Sequence, residues 1–269
     1  MVRSDESALE LAALFCLVHR GTPGDVGYYV EAVRGCSQVL ELGCGAGRVL
    51  APIAESGTPI VGLERNAAMV AAGRTRWLAN LPPHARVLLG DMRSFDLRER
   101  FDAVLIPYNA LFALDTDDDI RNTLEAARQH LVDGGSLHLD CYALEDPPAG
   151  GRLSEQGFVR VGTYIDQGRR IEVQECEGTE EPGRRFAMRY RYRVHELDGS
   201  TRVVEDAVRH HYVPPALLLE LVEDAGFRVE HVFGGFDESE VDEDSVIRVI
   251  AARASKPRSR ARARIATAV

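Results

Sequence analysis

The chain has 269 residues, 45% of them hydrophobic, enough to bury a full α/β core and carry one inserted subdomain. A formal net charge of −10 argues against a nucleic acid or an anionic membrane as the main partner and favours a cationic or small neutral one. Cys16, Cys36, Cys44, Cys141 and Cys176 are odd in number and lack metal-like close pairing, which argues against a disulfide framework or a zinc site and for a cytoplasmic protein.

Residues 4–35 read as two helices, the second opening at Thr22-Pro23-Gly24-Asp25 and carrying Tyr28 and Tyr29. The apolar run from Leu11 to Val18 is too short to span a bilayer, and Asp5, Glu6 and Glu10 stand where a leader peptide needs positive charge. Val39-Leu40-Glu41-Leu42 then predicts a buried strand and Arg48 to Ala54 a helix, with Gly43, Gly45 and Gly47 in the turn between them. Such a turn lies at the carboxyl end of a strand, where doubly wound sheets bind ligands. Glycine-rich turns are common and most bind nothing, so the next element decides. Ile60-Val61-Gly62-Leu63-Glu64 is a second strand ending in an acid, about 20 residues beyond the first glycine, the distance at which a carboxylate meets ribose hydroxyls. The third small residue of a dinucleotide fingerprint would fall on Arg48, whose bulk disfavours NAD, and no Gly-Lys-Ser or Gly-Lys-Thr occurs.

The stretch Glu41-Leu42-Gly43-Cys44-Gly45-Ala46-Gly47 resembles the first motif of class I S-adenosylmethionine-dependent methyltransferases, and Glu64 falls where their ribose-binding acid sits. Leu88-Leu89-Gly90-Asp91-Met92 resembles their third motif, Phe101 to Ile106 their strand four, and Leu131 to Leu137 the entry to strand five. These signals come in the family's order over roughly residues 24 to 142. The resemblance implies a doubly wound, mostly parallel seven-stranded sheet of the Rossmann-like methyltransferase fold, with S-adenosylmethionine as cofactor. It further implies cofactor contacts from Glu41, Gly43, Gly45, Gly47, Glu64, Asp91 and Met92, Asp91 accepting from the adenine amino group and Met92 packing on the ring. Tyr28 and Tyr29 would close over the methionine end, and Tyr108 and Asn109 would line the reaction centre, with Tyr108 also touching the cofactor. They depart from the Pro-Pro-Tyr pattern of enzymes acting on nucleic-acid bases.

After strand five the helix and strand alternation stops. Phe186 to Val194 places Phe186, Met188, Tyr190, Tyr192 and Val194 on one face and Arg189, Arg191 and Arg193 on the other, a half-buried antiparallel strand. Arg170 to Cys176 precedes it, with Glu172 and Gln174 available as cross-strand partners, so the arginines read as a solvated salt ladder. Thr201 to Val213 completes a small sheet. On it His210 shares the inward face of Val204, Val208 and Tyr212, whereas His211 shares that of Glu205 and Arg209, so His210 is the candidate general base. This antiparallel insertion after strand five resembles the layout of small-molecule methyltransferases, amino-sugar N-methyltransferases among them, where it covers the acceptor pocket. Pro215 to Ala225 reads as a helix capped by Gly226, and Val229 to Phe233 and Ser245 to Ala252 as the last strand pair, joined by a solvated acidic loop.

The expected organisation is thus an N-terminal helical segment (1–36), a cofactor-binding core (37–150), an antiparallel insertion (151–213), a returning helix and strand pair (214–254), and a basic, disordered tail (255–269). The expected activity is methyl transfer to N or O of a small-molecule acceptor by in-line displacement at the sulfonium, with no metal, no nucleic acid and no membrane involved; a homodimer is left open. A peptide or protein acceptor is the alternative within the fold, and an NAD-dependent oxidoreductase or a non-catalytic nucleoside-binding module stands further off.

Overall fold

A computed structural model describes residues 5–143, 157–178 and 184–255. Two helices come first, α1 (Asp5–Val18) and α2 (Asp25–Ala32), and then the sheet begins. Strands β1 (Val39–Leu42) and β2 (Ile60–Glu64) are buried at every position, Glu41 and Glu64 included, as strands of a parallel sheet are when helices cover both its faces. Between them lies α3 (Leu50–Glu55); α4 (Ala67–Gly73) follows β2, its N-cap Asn66 accepting from the Ala68 amide at 3.0 Å. Next come β3 (Ala85–Leu89), β4 (Phe101–Ile106), α5 (Asp117–His130) and β5 (Leu131–Tyr142). Thr116 caps α5 by accepting from the Asp119 amide at 3.1 Å, and Asp117, Asp118 and Asp119 lie in its first turn, where the helix dipole favours acids.

The chain then forms a separate antiparallel sheet from β6 (Val159–Asp166), β7 (Arg169–Gly178), β8 (Arg185–His195) and β9 (Thr201–His211). It returns through α6 (Pro215–Asp224) to β10 (Phe227–Phe233) and β11 (Ile247–Ala254). The main sheet has seven strands in the order β3-β2-β1-β4-β5-β11-β10, and β11 runs antiparallel to both neighbours. This is the doubly wound architecture expected. In the small sheet Arg193 stands opposite Glu172 and Arg191 opposite Gln174, the expected register, while Glu205 on β9 adds an ion pair to Arg191 at 2.7 Å. His211 departs from expectation: its ring is buried and its Nε2 lies 2.8 Å from Asp117, because the end of β9 packs on the start of α5. The proposed tail beyond Ser255 and the start of the insertion lie outside the described residues.

Apolar side chains on either face of the main sheet form two cores. A third joins Leu14 and Leu17 of α1 to Ile171, Val173, Tyr190, Tyr192 and Val194 of the small sheet. Around its edge runs a chain of alternating charges. Arg76, beyond α4, pairs with Asp166 at 2.9 Å; Asp166 with Arg169 at 3.0 Å; Arg169 with Glu10 at 3.8 Å; and Glu10 with Arg202. Helix α1 is thereby fastened to the small sheet, and the small sheet to the segment beyond α4.

Candidate active site

A cavity of about 780 Å³ opens between the carboxyl ends of β1, β2 and β4 on one side and α1 with the small sheet on the other. Its floor is the glycine turn. Gly43 and Gly45 have φ of 69° and 56°, a region that penalises any side chain, and both line the cavity with bare backbone. Glu64 ties the floor together: one carboxylate oxygen accepts from the Gly45 amide at 2.9 Å and the other from the Asn66 amide at 2.7 Å. Glu41 lies beside it, buried, with Oε2 lacking any partner among the described residues. Burial pushes its carboxyl up to about 8, with Arg48 opposing the shift and the Glu64 charge adding to it. Met92 and Gly90 line the adjoining wall.

Four residues expected to touch the cofactor, Gly47, Asp91, Tyr28 and Tyr29, do not line this cavity. Gly47 does not line the cavity; a Cβ there would lie 2.1 Å from Leu78, so its role is close packing of the turn. Asp91 is absent from the wall because the Arg93 guanidinium grips both its oxygens, at 3.0 Å and 2.6 Å, which also holds its carboxyl below the usual range. Tyr28 and Tyr29 are core residues: Tyr28 bonds His138 at 3.2 Å, and Tyr29 is fully buried with its hydroxyl on Asp140. The segment that covers the cavity is α1, through Ala8, Leu11 and Phe15, with His19 just past its end.

Beyond β4 the backbone makes an elbow. Tyr108 and Asn109 are consecutive non-glycine residues at φ of 56° and 58°, a conformation that persists only when its surroundings enforce it. Strand β5 does so: Asp140 Oδ1 accepts from the Tyr108 amide at 2.7 Å, and Asn109 Oδ1 accepts from the Tyr142 amide at 2.6 Å. Asn109 lines the cavity, but its amide oxygen is committed to holding the elbow. The Tyr108 ring faces the cavity beneath the Arg48 guanidinium, 5.2 Å from its centroid, and Arg48 is in turn paired with Asp25 at 2.7 Å. Arg48, whose bulk disfavours a dinucleotide, is thus itself part of the wall.

The far wall is aromatic and carries two imidazoles. His210 bonds the Tyr142 hydroxyl through Nδ1 at 3.1 Å and stacks on Phe186; burial pushes its pKa down to about 4, so the ring is neutral at pH 7. Tyr190 and Asp206 stand on the same inward face. Sequence reading missed Asp206, although it shares the parity of Val204, Val208 and His210. It also missed His19, for which the sequence carries no signal beyond its position after an apolar helix.

The sequence profile of a family described as a methyltransferase domain matches residues 39–135, the span from β1 into β5. Over that span the chain is similar to a methyltransferase domain. The chain is 34% identical over 136 residues to a dTDP-3-amino-3,6-dideoxy-alpha-D-glucopyranose N,N-dimethyltransferase of Streptomyces fradiae, covering 47% of this chain and 51% of that one. That match spans about half of the relative's length. Similarity to a dTDP-4-amino-2,3,4,6-tetradeoxy-D-glucose N,N-dimethyltransferase of Saccharopolyspora spinosa is 27% over 221 residues, 80% of this chain and 82% of the relative. Among solved structures, the CcbJ methyltransferase from Streptomyces caelestis superposes with a TM-score of 0.66 at 26% identity, covering 88% of this chain and 91% of that one. The cavity wall fits S-adenosylmethionine on its own evidence: bare backbone at Gly43 and Gly45, a carboxylate at Glu64, and a carboxylate oxygen on Glu41 without a partner among the described residues. None of the five cysteines forms a disulfide among the described residues, no group of residues with metal-binding geometry occurs among them, and no helix of theirs is long and apolar enough to cross a membrane.

Proposed function

We propose that the protein is a methyltransferase that moves a methyl group from S-adenosylmethionine to the amino nitrogen of a small acceptor of the amino-sugar type, in the cytoplasm. The observation that carries this reading is the single cavity that joins the glycine turn to an aromatic wall bearing neutral imidazoles. The relatives' names supply the acceptor class, since both curated relatives act on dTDP-linked amino sugars. When bound, the cofactor supplies an electrophilic methyl group on a sulfonium. The chain's own residues then have distinct tasks. Glu64 accepts from ribose hydroxyls, and Glu41 faces the ammonium of the methionine portion, whose charge draws the carboxyl into its ionised form. The elbow at Tyr108 sets the height of the reaction centre, and α1 with β8 and β9 excludes water and holds the acceptor in line. His210, neutral at working pH, accepts a hydrogen bond from the acceptor rather than taking its proton outright.

The test is incubation with S-adenosylmethionine and a panel of acceptors read by mass spectrometry. Amino sugars linked to dTDP should gain one or two methyl groups, whereas sugars bearing hydroxyls alone and peptides should gain none. Methylation confined to a peptide or to a hydroxyl-only sugar overturns the amino-sugar reading while leaving the methyltransferase domain intact.

A further inference from the structure

We infer that His19 is an acceptor-binding residue, its Nε2 receiving a hydrogen bond from the amine that is methylated; the inference rests on the amine reading above. Four acceptor atoms in the cavity wall already have a partner within the protein. His210 Nδ1 meets the Tyr142 hydroxyl, Asn109 Oδ1 takes the Tyr142 amide, and the two Glu64 oxygens hold backbone amides. His19 differs. It lies in the cavity wall just past the end of α1, and its Nε2 is buried without a partner among the described residues. A buried ring nitrogen left unpaired costs free energy, and a ligand atom removes that cost.

The ring is held in place. It stacks on Phe15 at 3.8 Å between centroids, meets Tyr190 edge-on at 5.1 Å, and places Nδ1 3.5 Å from the Tyr108 hydroxyl. These contacts link it to the elbow on one side and the small sheet on the other. Burial, reinforced by His210 nearby, pushes its pKa down to about 4 and keeps the ring neutral. With the proton on Nδ1, toward Tyr108, the Nε2 lone pair is free to accept. One N–H of the neutral amine directed at Nε2 turns the nitrogen lone pair away from the imidazole and toward the methyl donor. The C–N bond then forms as the C–S bond breaks, its electron pair staying on sulfur and the positive charge passing to nitrogen. The N–H···Nε2 bond strengthens with that charge, and the proton leaves to solvent with the product.

His19→Ala and His19→Gln test this, because the glutamine amide oxygen reaches roughly where Nε2 stood. Melting temperature, affinity for S-adenosylhomocysteine by calorimetry, and KM and kcat for whichever acceptor the wild type turns over are read on the same samples. His19→Ala should keep nucleoside affinity within about threefold and lose at least about tenfold in kcat/KM for the acceptor. His19→Gln should recover much of that loss at equal stability. Unchanged acceptor kinetics in folded His19→Ala overturns the inference, as does a loss of S-adenosylhomocysteine affinity as large as the loss in kcat/KM. A failure of the amine reading is seen separately, as a wild type that methylates no amino sugar.

Discussion

The Tyr29 hydroxyl donates to Asp140 Oδ1 across 2.6 Å, and the same oxygen accepts from the Tyr108 amide at 2.7 Å. A core tyrosine of α2 therefore fixes the carboxylate that fixes the elbow. Burial raises the Asp140 pKa to about 6 from an ordinary 3.8, against the pull of these two donors. An acid raised in the folded state contributes stability that is fully present below its unfolded pKa and is lost as pH rises through its folded value. Tyr29→Phe removes a donor to the ionised form and raises that pKa further. The variant should lose about 1 to 3 kcal/mol of stability, and its deficit in melting temperature against wild type should be larger at pH 8 than at pH 5. Thermal melts at the two pH values check this.

Gly45→Val places a branched side chain at φ of 56° in the cavity floor, where even a Cβ comes within 3.4 Å of Met69. Binding of S-adenosylmethionine should be lost while circular dichroism remains that of the folded protein. Calorimetry showing wild-type affinity would move the cofactor elsewhere.

Glu64→Ala removes the proposed acceptor for two ribose hydroxyls and also frees the Gly45 and Asn66 amides that define the floor. Charge-assisted hydrogen bonds of this kind contribute roughly 1.5 to 3 kcal/mol each, so affinity for the cofactor should fall at least about tenfold. Asp91→Ala should weaken binding less, because Arg93 already occupies that carboxylate.

Glu41, pushed up to about 8, is mostly protonated at pH 7 in the free protein. A cationic ligand that draws it into its charged form must release a proton on binding. The calorimetric enthalpy at pH 7 should therefore vary with the ionisation enthalpy of the buffer, and Glu41→Gln should reduce that dependence by the one proton it can no longer release. Equal dependence in both proteins would remove Glu41 from the ammonium site.

Tyr190→Ala and His210→Ala touch the far wall alone. Affinity for S-adenosylmethionine should stay within about threefold of wild type while turnover falls roughly ten- to a thousandfold. Normal turnover per folded molecule, with a lowered melting temperature, would make both residues plain core.

The parallel sheet was legible because its strands are short apolar runs, Val39–Leu42, Ile60–Glu64 and Phe101–Ile106, bounded by turn residues. The small sheet was legible in β8, whose alternation is complete, and not in β6, where a register shift near Gly162 and exposed Val159 and Ile165 blur the pattern. The glycine turn and Glu64 were readable from spacing, which is a property of backbone. What was not readable is which covering helix meets the cavity. Periodicity places Tyr28 and Tyr29 on an inward face equally well whether that face meets a ligand or Asp140 and Phe236, and only tertiary packing decides. The grip of Arg93 on Asp91, two residues apart on a bent chain, is hidden for the same reason.

The charge ladder around α1 has a consequence for the order of assembly. Strands β1 to β4 and their glycine turn lie within residues 39–106, so the cofactor half draws on contacts close in sequence. The opposite wall closes only when Glu10 meets Arg202, 192 positions away. Loop-closure entropy makes such distant pairings slow to form. During refolding the nucleoside half should gain hydrogen-exchange protection first and α1 last, leaving a transient species that holds the cofactor before it has anywhere to seat an acceptor.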